Sequence, residues 1–153
     1  MSQKKQDPKN LFALQKEQEF EFLCSKQGLS QTTQRRMILL ALARRKDHPT
    51  ADQIYEELKE QFKGLSRTTV YRVLETFVRI GLVQKTTSLD AKARFDADTG
   101  RHHHITCMEC GEVVDLHDPL LNRIELPEEK ASGYRLLDYS IAFTGICPQC
   151  RAK

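Results

Sequence analysis

Apolar residues recur at helical spacing through the first eighty positions of this chain, and the pattern shortens to strand-like runs after residue 100. Residues 11–26 form the first predicted helix, closed at Gln27-Gly28. In 33–45, Met37, Ile38, Leu39, Leu40 and Leu42 stand among arginines, which predicts a second helix with one buried face. His48-Pro49 interrupts it. Thr50-Ala51-Asp52-Gln53 then reads as a capping box, with Thr at the N-cap and Gln three residues on. Ile54, Tyr55 and Leu58 give the following helix an apolar stripe. Ser66 is suited to cap the next helix and Gly81 to end it. Between them Val70, Val73, Leu74, Phe77 and Val78 face one way, and Arg67, Thr68, Thr69, Tyr71, Arg72 and Arg79 the other. Leu82 to Thr86 is strand-like, and Ala93-Arg94-Phe95 is its expected hairpin partner across a polar turn. A helix-turn-helix followed by a two-stranded ribbon is the order of a winged helix.

Beyond His102 the elements are short. His103-Ile105-Cys107 and Val113 to Leu116 read as strands joined through the turn 107–111, and residues 118–131 as weakly helical, split by Pro127. Residues 135–146 are expected to form one long strand. The domain border belongs near 95–101. The expectation is an α+β chain with a winged helix-turn-helix domain over 1–95 and a small α/β domain over 96–153.

Composition adds little to this picture and cysteine adds much. The 153 residues are 39% hydrophobic and 29% charged, as in an ordinary globular protein. No apolar run approaches the ~20 residues needed to span a bilayer, and the charged start has no apolar stretch behind it, so a cytoplasmic protein is expected. The net charge of +3 divides unevenly: residues 1–92 carry 17 Lys/Arg against 11 Asp/Glu, and the remainder 7 against 10. A basic front half suits a polyanionic partner, although a solvated surface would serve equally well. Four of the five cysteines form two pairs, Cys107/Cys110 and Cys147/Cys150. In a reducing compartment such pairs point to metal more than to disulfides. Cys24 stands alone and reads as a small buried apolar residue.

Three constellations carry chemistry. The two Cys-x-x-Cys knuckles can supply four thiolates to one tetrahedral zinc, a closed structural site. Redox pairs or buried thiols are the alternatives, and the turn residues Gly111 and Pro148 beside the knuckles favour zinc. His102 and His104 alternate along a strand and share a face, with Asp96 six residues upstream, Asp115 on the next strand, and His48 alone in the front half. Imidazoles with carboxylates suit divalent iron, manganese or zinc; exposed histidines are the bland reading of the His102-His103-His104 run. Arg67, Thr68, Thr69, Tyr71 and Arg72 near the start of their helix could meet base edges or phosphates of duplex DNA; a solvated basic face is the bland reading of the same residues.

Together these segments resemble the ferric uptake regulator family. Gly28 to Arg35 is similar to its first turn and following helix, His48 to Tyr55 to the segment giving a ligand from the DNA-binding domain, Arg67 to Leu74 to its recognition helix, and His102 to Gly111 to its histidine–cysteine core. The spacing is most similar to the peroxide-responsive members. The resemblance implies a homodimer whose second domain, 96–153, carries dimerisation. It also implies structural zinc on Cys107, Cys110, Cys147 and Cys150, and a regulatory Fe(II) or Mn(II) on His48, Asp96, His102, His104 and Asp115. Arg72 after Val-Tyr is as in many iron-type members. A second histidine–carboxylate site cannot be built, because no histidine follows His117, so His103 and His117 are expected to be exposed or locally hydrogen-bonded.

The function so implied is a metal-dependent repressor of transcription on operator DNA, sensing peroxide by oxidation of a histidine ligand. It is not an enzyme, and it has neither membrane nor organic substrate as partner. Two alternatives stand beside it: a repressor of the same family that senses iron or zinc by occupancy, and, from another class, a small non-haem metalloenzyme using the His/Asp set. The absence of a cofactor loop and the small back half weigh against the enzyme.

Overall fold

Among the described residues, four helices and a two-stranded ribbon build the first of two units, Met1–Thr99, and a three-stranded sheet with one short α-helix builds the second, Gly100–Lys153. The computed structural model describes residues 8–87, 92–126 and 133–153. The turn between the ribbon strands and Pro127 lie outside them.

In the first unit, α1 (Pro8–Gln27) ends where Gly28 adopts a positive φ, and α2 (Thr33–Ala43) starts from Thr32, whose hydroxyl accepts the Arg35 N–H. Two ion pairs from Arg36, to Glu17 at 2.8 Å and Glu21 at 3.0 Å, tie α2 to α1. The expected capping box is present in full at the start of α3 (Ala51–Leu58): Thr50 accepts the Gln53 N–H and the Gln53 side chain accepts the Thr50 N–H. α4 (Arg67–Arg79) is capped by Ser66 and followed by Gly81 at φ +78. Its apolar stripe, Val70, Val73, Leu74 and Phe77, is buried. Phe77 meets Phe20 of α1 edge to face, ring centres 5.8 Å apart, among buried Ile38, Leu39, Leu42 and Ile54. This aromatic contact joins α1 to α4 inside the core. The ribbon pairs β1 (Gln84–Thr87) antiparallel to β2 (Ala93–Asp96), with Gln84 opposite Asp96. Phe95 is buried in the same core, so the wing is anchored to the helices at its base.

The second unit orders its strands β4-β3-β5. β3 (His103–Cys107) pairs antiparallel with β4 (Val113–Leu116) and parallel with β5 (Ala142–Gly145). Here the structure corrects the sequence reading: the strand expected over 135–146 is only four residues long. A strand exists where a ladder partner exists, and β3 offers partners to 142–145 alone. Upstream, Tyr139 serves a different contact. Its hydroxyl donates to the Leu121 carbonyl and accepts the Ile124 N–H, fastening a 3-10 turn at Leu121–Arg123. That turn is what forms in the weakly helical stretch, as far as the described residues reach. Cys24 is buried, as expected, and of the two states that the sequence leaves open for His103, exposed or hydrogen-bonded, the structure shows the second, with the ring buried. Alternation along β3 turns it away from His102 and His104. It stacks on Tyr139 at 6.1 Å and its Nδ1 accepts the Ile141 N–H at 3.4 Å.

The two units differ in how much apolar surface they hide. Every residue of the main apolar cluster belongs to the first. In the second, Cys107 and Val113 are buried, whereas Val114, Phe143, Ile146, Leu120 and Leu137 are exposed. So small a unit with so thin a core needs other staples. Among the described residues, no helix is long and apolar enough to cross a membrane. If the Phe20–Phe77 contact centres the first core, Phe77→Ala lowers its unfolding free energy by about 3–5 kcal/mol in denaturant titration. A loss below about 1 kcal/mol would place the centre elsewhere.

Candidate metal centres

Sulfur forms the first cluster. Cys107 closes β3, and the chain turns back through Cys110 with the Gly111 N–H bonded to the Cys107 carbonyl at 2.9 Å. Gly111 holds φ at +73, a conformation that side-chain-bearing residues adopt only with strain. Parallel pairing then sets Gly145 beside Cys107, and two residues later Cys147 caps α5 (Pro148–Arg151), which carries Cys150. The four Sγ atoms lie within 4.8 Å of one another, with Cys110 and Cys147 3.8 Å apart. A tetrahedral zinc with bonds of about 2.3 Å would space its sulfurs by about 3.8 Å, so the four-cysteine cluster fits zinc.

Charge leads to the same ion. The Cys147 N–H donates to Cys107 Sγ at 3.3 Å and draws that thiol down to about 6, whereas Cys150, crowded by the Cys147 sulfur, is pushed up to about 12. One thiolate is favoured locally, but four cannot be ionised at this spacing without a cation among them.

The hard donors lie on both units. In the first, His48 sits in the left-handed region at φ +48, a conformation that costs a non-glycine residue on the order of 1–3 kcal/mol. The ribbon holds it there: the Phe95 N–H donates to the Pro49 carbonyl at 3.0 Å and the Arg94 guanidinium donates to the His48 carbonyl at 3.3 Å. The buried imidazole faces Asp96 at the end of β2, Nε2 to Oδ2 at 3.4 Å, while Asp96 Oδ1 accepts the Asp98 N–H.

In the second unit, the β3–β4 register sets His104 opposite Asp115. His102 Nδ1 lies 2.9 Å from the Gly100 carbonyl, which can only accept, so the ring proton sits on Nδ1 and the Nε2 lone pair points inward. That Nε2 lies 3.0 Å from His104 Nε2, and Asp115 Oδ1 lies 3.5 and 3.9 Å from the two nitrogens. Two nitrogens bound side by side on an octahedral ion, with bonds of about 2.1 Å, also lie about 3.0 Å apart. Imidazole and carboxylate donors in this spacing fit a hard divalent ion, and they differ in kind from the thiolate set nearby.

The polar face of α4 is only partly available. Arg67 stacks over the Tyr55 ring at 4.8 Å and is ion-paired with Glu56 and, at 3.3 Å, with Asp52. Thr69 shares a 2.8 Å hydrogen bond with the capping Ser66. Thr68, Tyr71 and Arg72 are exposed, and Arg72 makes no ion pair among the described residues. Thr68 and Arg72 line an open groove with Thr32 and Arg35 of the α2 start. On the other side of α4, the wing residue Lys85 lies over Tyr71 and pairs with Glu75 at 2.6 Å. Neither Lys85 nor the carboxylates that hold Arg67 carried a signal in the sequence, because only folding brings them to this helix.

The model of the ferric uptake regulator family matches residues 26–144, well over half of the sequence. The chain belongs to the ferric uptake regulator family. It is 36% identical over 128 residues to the peroxide-responsive repressor PerR of Staphylococcus epidermidis, covering 84% of this chain and 85% of that protein. It superimposes on the iron-containing ferric uptake regulator of Francisella tularensis with a TM-score of 0.68 at 26% identity, over 81% of this chain and 96% of the other. The Helicobacter pylori ferric uptake regulator shares the fold at a TM-score of 0.73 and 21% identity, over 91% and 93% of the two chains. The five hard donors and the first cysteine pair lie within the residues matched by the family model, and Cys147 and Cys150 lie just beyond them.

Cys107→Ser or Cys147→Ser is expected to abolish tight zinc retention, from one ion per chain to none, and to leave monomeric or aggregated protein. Metal analysis with size-exclusion chromatography reads both. A soluble, zinc-free dimer from either variant would show that these cysteines hold no structural ion.

Proposed function

We propose that this protein is a dimeric, metal-dependent repressor of transcription that binds operator DNA and releases it on exposure to peroxide. The regulatory ion, Fe(II) or Mn(II), is held by His48 and Asp96 of the first unit together with His102, His104 and Asp115 of the second. The observation that carries this reading is the His102–His104–Asp115 group, whose nitrogens already stand at the spacing of two ligands on one ion. The His48–Asp96 pair supplies the same donor chemistry from the DNA-binding side. Cysteine-bound zinc keeps the second unit folded, and a second copy of the chain covers its exposed Val114, Phe143 and Ile146. The units thus divide the work: DNA recognition in the first, dimerisation in the second.

Fe(II), when bound, supplies the redox reaction with peroxide by which one oxygen atom is added to a ligand imidazole. The protein's own residues determine which imidazole and with what result. His48 is held in a strained conformation by the ribbon, and an oxidised ring there no longer ties the first unit to the ion. His102 is held through its Nδ1 contact to Gly100, which keeps its Nε2 aimed at the same place. Oxidation of either removes a donor shared between DNA-binding and dimer halves. Two recognition helices then lose the separation of about 34–36 Å that one turn of duplex requires. His48, His102, His104, Asp96 and Asp115 would hold the ion with five donors, and a sixth position would remain for a small oxidant if the ion takes six.

On the DNA side, Arg72 and Thr68 stand ready at the groove between α2 and α4, and Tyr71 is exposed beside Lys85. Arg67 and Thr69 act through the helix start. The carboxylates on Arg67 are solvent-exposed, so a DNA phosphate can compete with them. Arg72→Ala is expected to weaken operator binding by about 1–3 kcal/mol and to relax preference at one base pair. Equal weakening on every sequence would make Arg72 a phosphate contact, and no effect would move the recognition face elsewhere.

The peroxide reading is tested by mass spectrometry. Fe(II) protein briefly exposed to peroxide is expected to gain one oxygen atom on a peptide holding His48 or His102 and to lose DNA affinity, while Mn(II) protein does neither. An oxidant formed from peroxide at a bound Fe(II) would meet the imidazoles that hold the ion before it could diffuse away. Unmodified histidines together with DNA release on chelation of iron would favour the iron- or zinc-availability repressor, and turnover of an organic substrate a small metalloenzyme.

A further inference from the structure

His117 is the one histidine of the second unit that the reading above leaves without a task, and its position on the β3–β4 hairpin gives it one. Antiparallel pairing sets His104 opposite Asp115 and His103 opposite Leu116. The same register, continued by one step, sets His102 opposite His117. Strand alternation turns residues 113, 115 and 117 to one face, as it does 102 and 104 on the partner strand. The rings confirm the neighbourhood. His102 and His104, whose nitrogens are 3.0 Å apart, have ring centres 4.7 Å apart, and the centre of His117 lies 5.4 Å from that of His102. The difference is well under one ångström, within reach of a side-chain rotation. His117 is exposed and makes no hydrogen bond among the described residues, so nothing else holds its ring in place.

The hairpin alone therefore carries three imidazoles and one carboxylate on one face, a set of four donors that needs nothing from the first unit. We propose that His117 is a stand-in ligand. When His48 is not engaged, His117 joins His102, His104 and Asp115 and keeps the regulatory ion on the second unit. Engagement of His48 and Asp96 displaces it. The proposal rests on the regulatory-site reading given above, and it adds a competition to it. A ligand that stabilises the disengaged form subtracts from the free energy with which the ion favours the engaged one. His117 thereby raises the metal concentration at which the protein takes hold of DNA, and it retains the ion in the DNA-free state, ready for re-engagement.

Full-length protein with its cysteine site filled by zinc, titrated with Co(II) and followed by the visible ligand-field bands, separates the possibilities. His48→Ala is expected to bind one further Co(II). His48→Ala/His117→Ala is expected to bind it at least tenfold more weakly, with a shifted spectrum, because one of four donors is gone. His117→Ala alone is expected to reach half-maximal operator binding at several-fold lower Mn(II). Equal Co(II) affinity and spectra in the His48 single and the double variant would overturn the stand-in role. That failure differs from failure of the regulatory site itself, which would appear as wild-type Co(II) binding in His104→Ala and Asp115→Ala. Because His117 is exposed, unchanged zinc content and circular dichroism identify a folded variant.

Discussion

Four sulfur atoms within 4.8 Å of one another, in a unit with hardly any apolar core, set the condition on which the second half of this molecule rests. Charge repulsion forbids four thiolates at that distance, and four neutral thiols would gain little from being there. A cation resolves the conflict, and the geometry fits a tetrahedral one. The consequence extends beyond the sulfurs. Cys107 is the last residue of β3, and Cys147 lies two residues past the end of β5, so an ion joining the knuckles would also clamp the parallel pairing of these strands. The same β3 carries His104 near its start, and His102 immediately precedes it. A metal held by the cysteines at one end of the strand would thus fix the register of the candidate donor set at the other.

Strand alternation is the second organising constraint. Neighbours along β3 point in opposite directions, which gives three consecutive histidines two distinct fates. His102 and His104 turn to the face shared with Asp115 and His117, and His103 turns to the face where Tyr139 stacks on it. The Tyr139 hydroxyl in turn fastens the 3-10 turn, and the Arg101 guanidinium lies over the tyrosine ring at 4.8 Å from its centre. Packing and metal chemistry are thereby carried by alternate residues of one short strand. Steric disturbance on one face reaches the donors on the other through the backbone they share.

The first unit applies a different strategy to the same end. Its core is continuous and Thr32, Thr50 and Ser66 cap α2, α3 and α4, so it can bear one costly feature, the left-handed backbone at His48. Hydrogen bonds from Phe95 and Arg94 keep that feature in place from the ribbon, and Asp96 ends the same strand. A conformational stress is therefore stored where the proposed regulatory ligand sits. On α4, the carboxylates around Arg67 and the cap at Thr69 order the helix start, leaving Arg72, Thr68 and Tyr71 as the outward-facing groups.

Local chemistry made much of this legible in the sequence. The capping box at Thr50, the cap at Ser66, the stop at Gly81 and the apolar stripe of α4 are decided by residues within one or two helical turns, so the four helices and the ribbon follow from spacing alone. The paired knuckles and the His-x-His alternation likewise declare their donor chemistry locally. Other features depended on contacts between distant segments. The extent of β5 was decided by how many residues β3 had to offer, and not by the propensities of 135–146. The burial of His103 depended on Tyr139, the engagement of Arg67 on α3, and the meeting of His102 with His117 on the β3–β4 register. Sequence fixes which groups a strand or helix can present and at what period. Which of them meet is set by pairing and packing partners far along the chain, and no local pattern contains those.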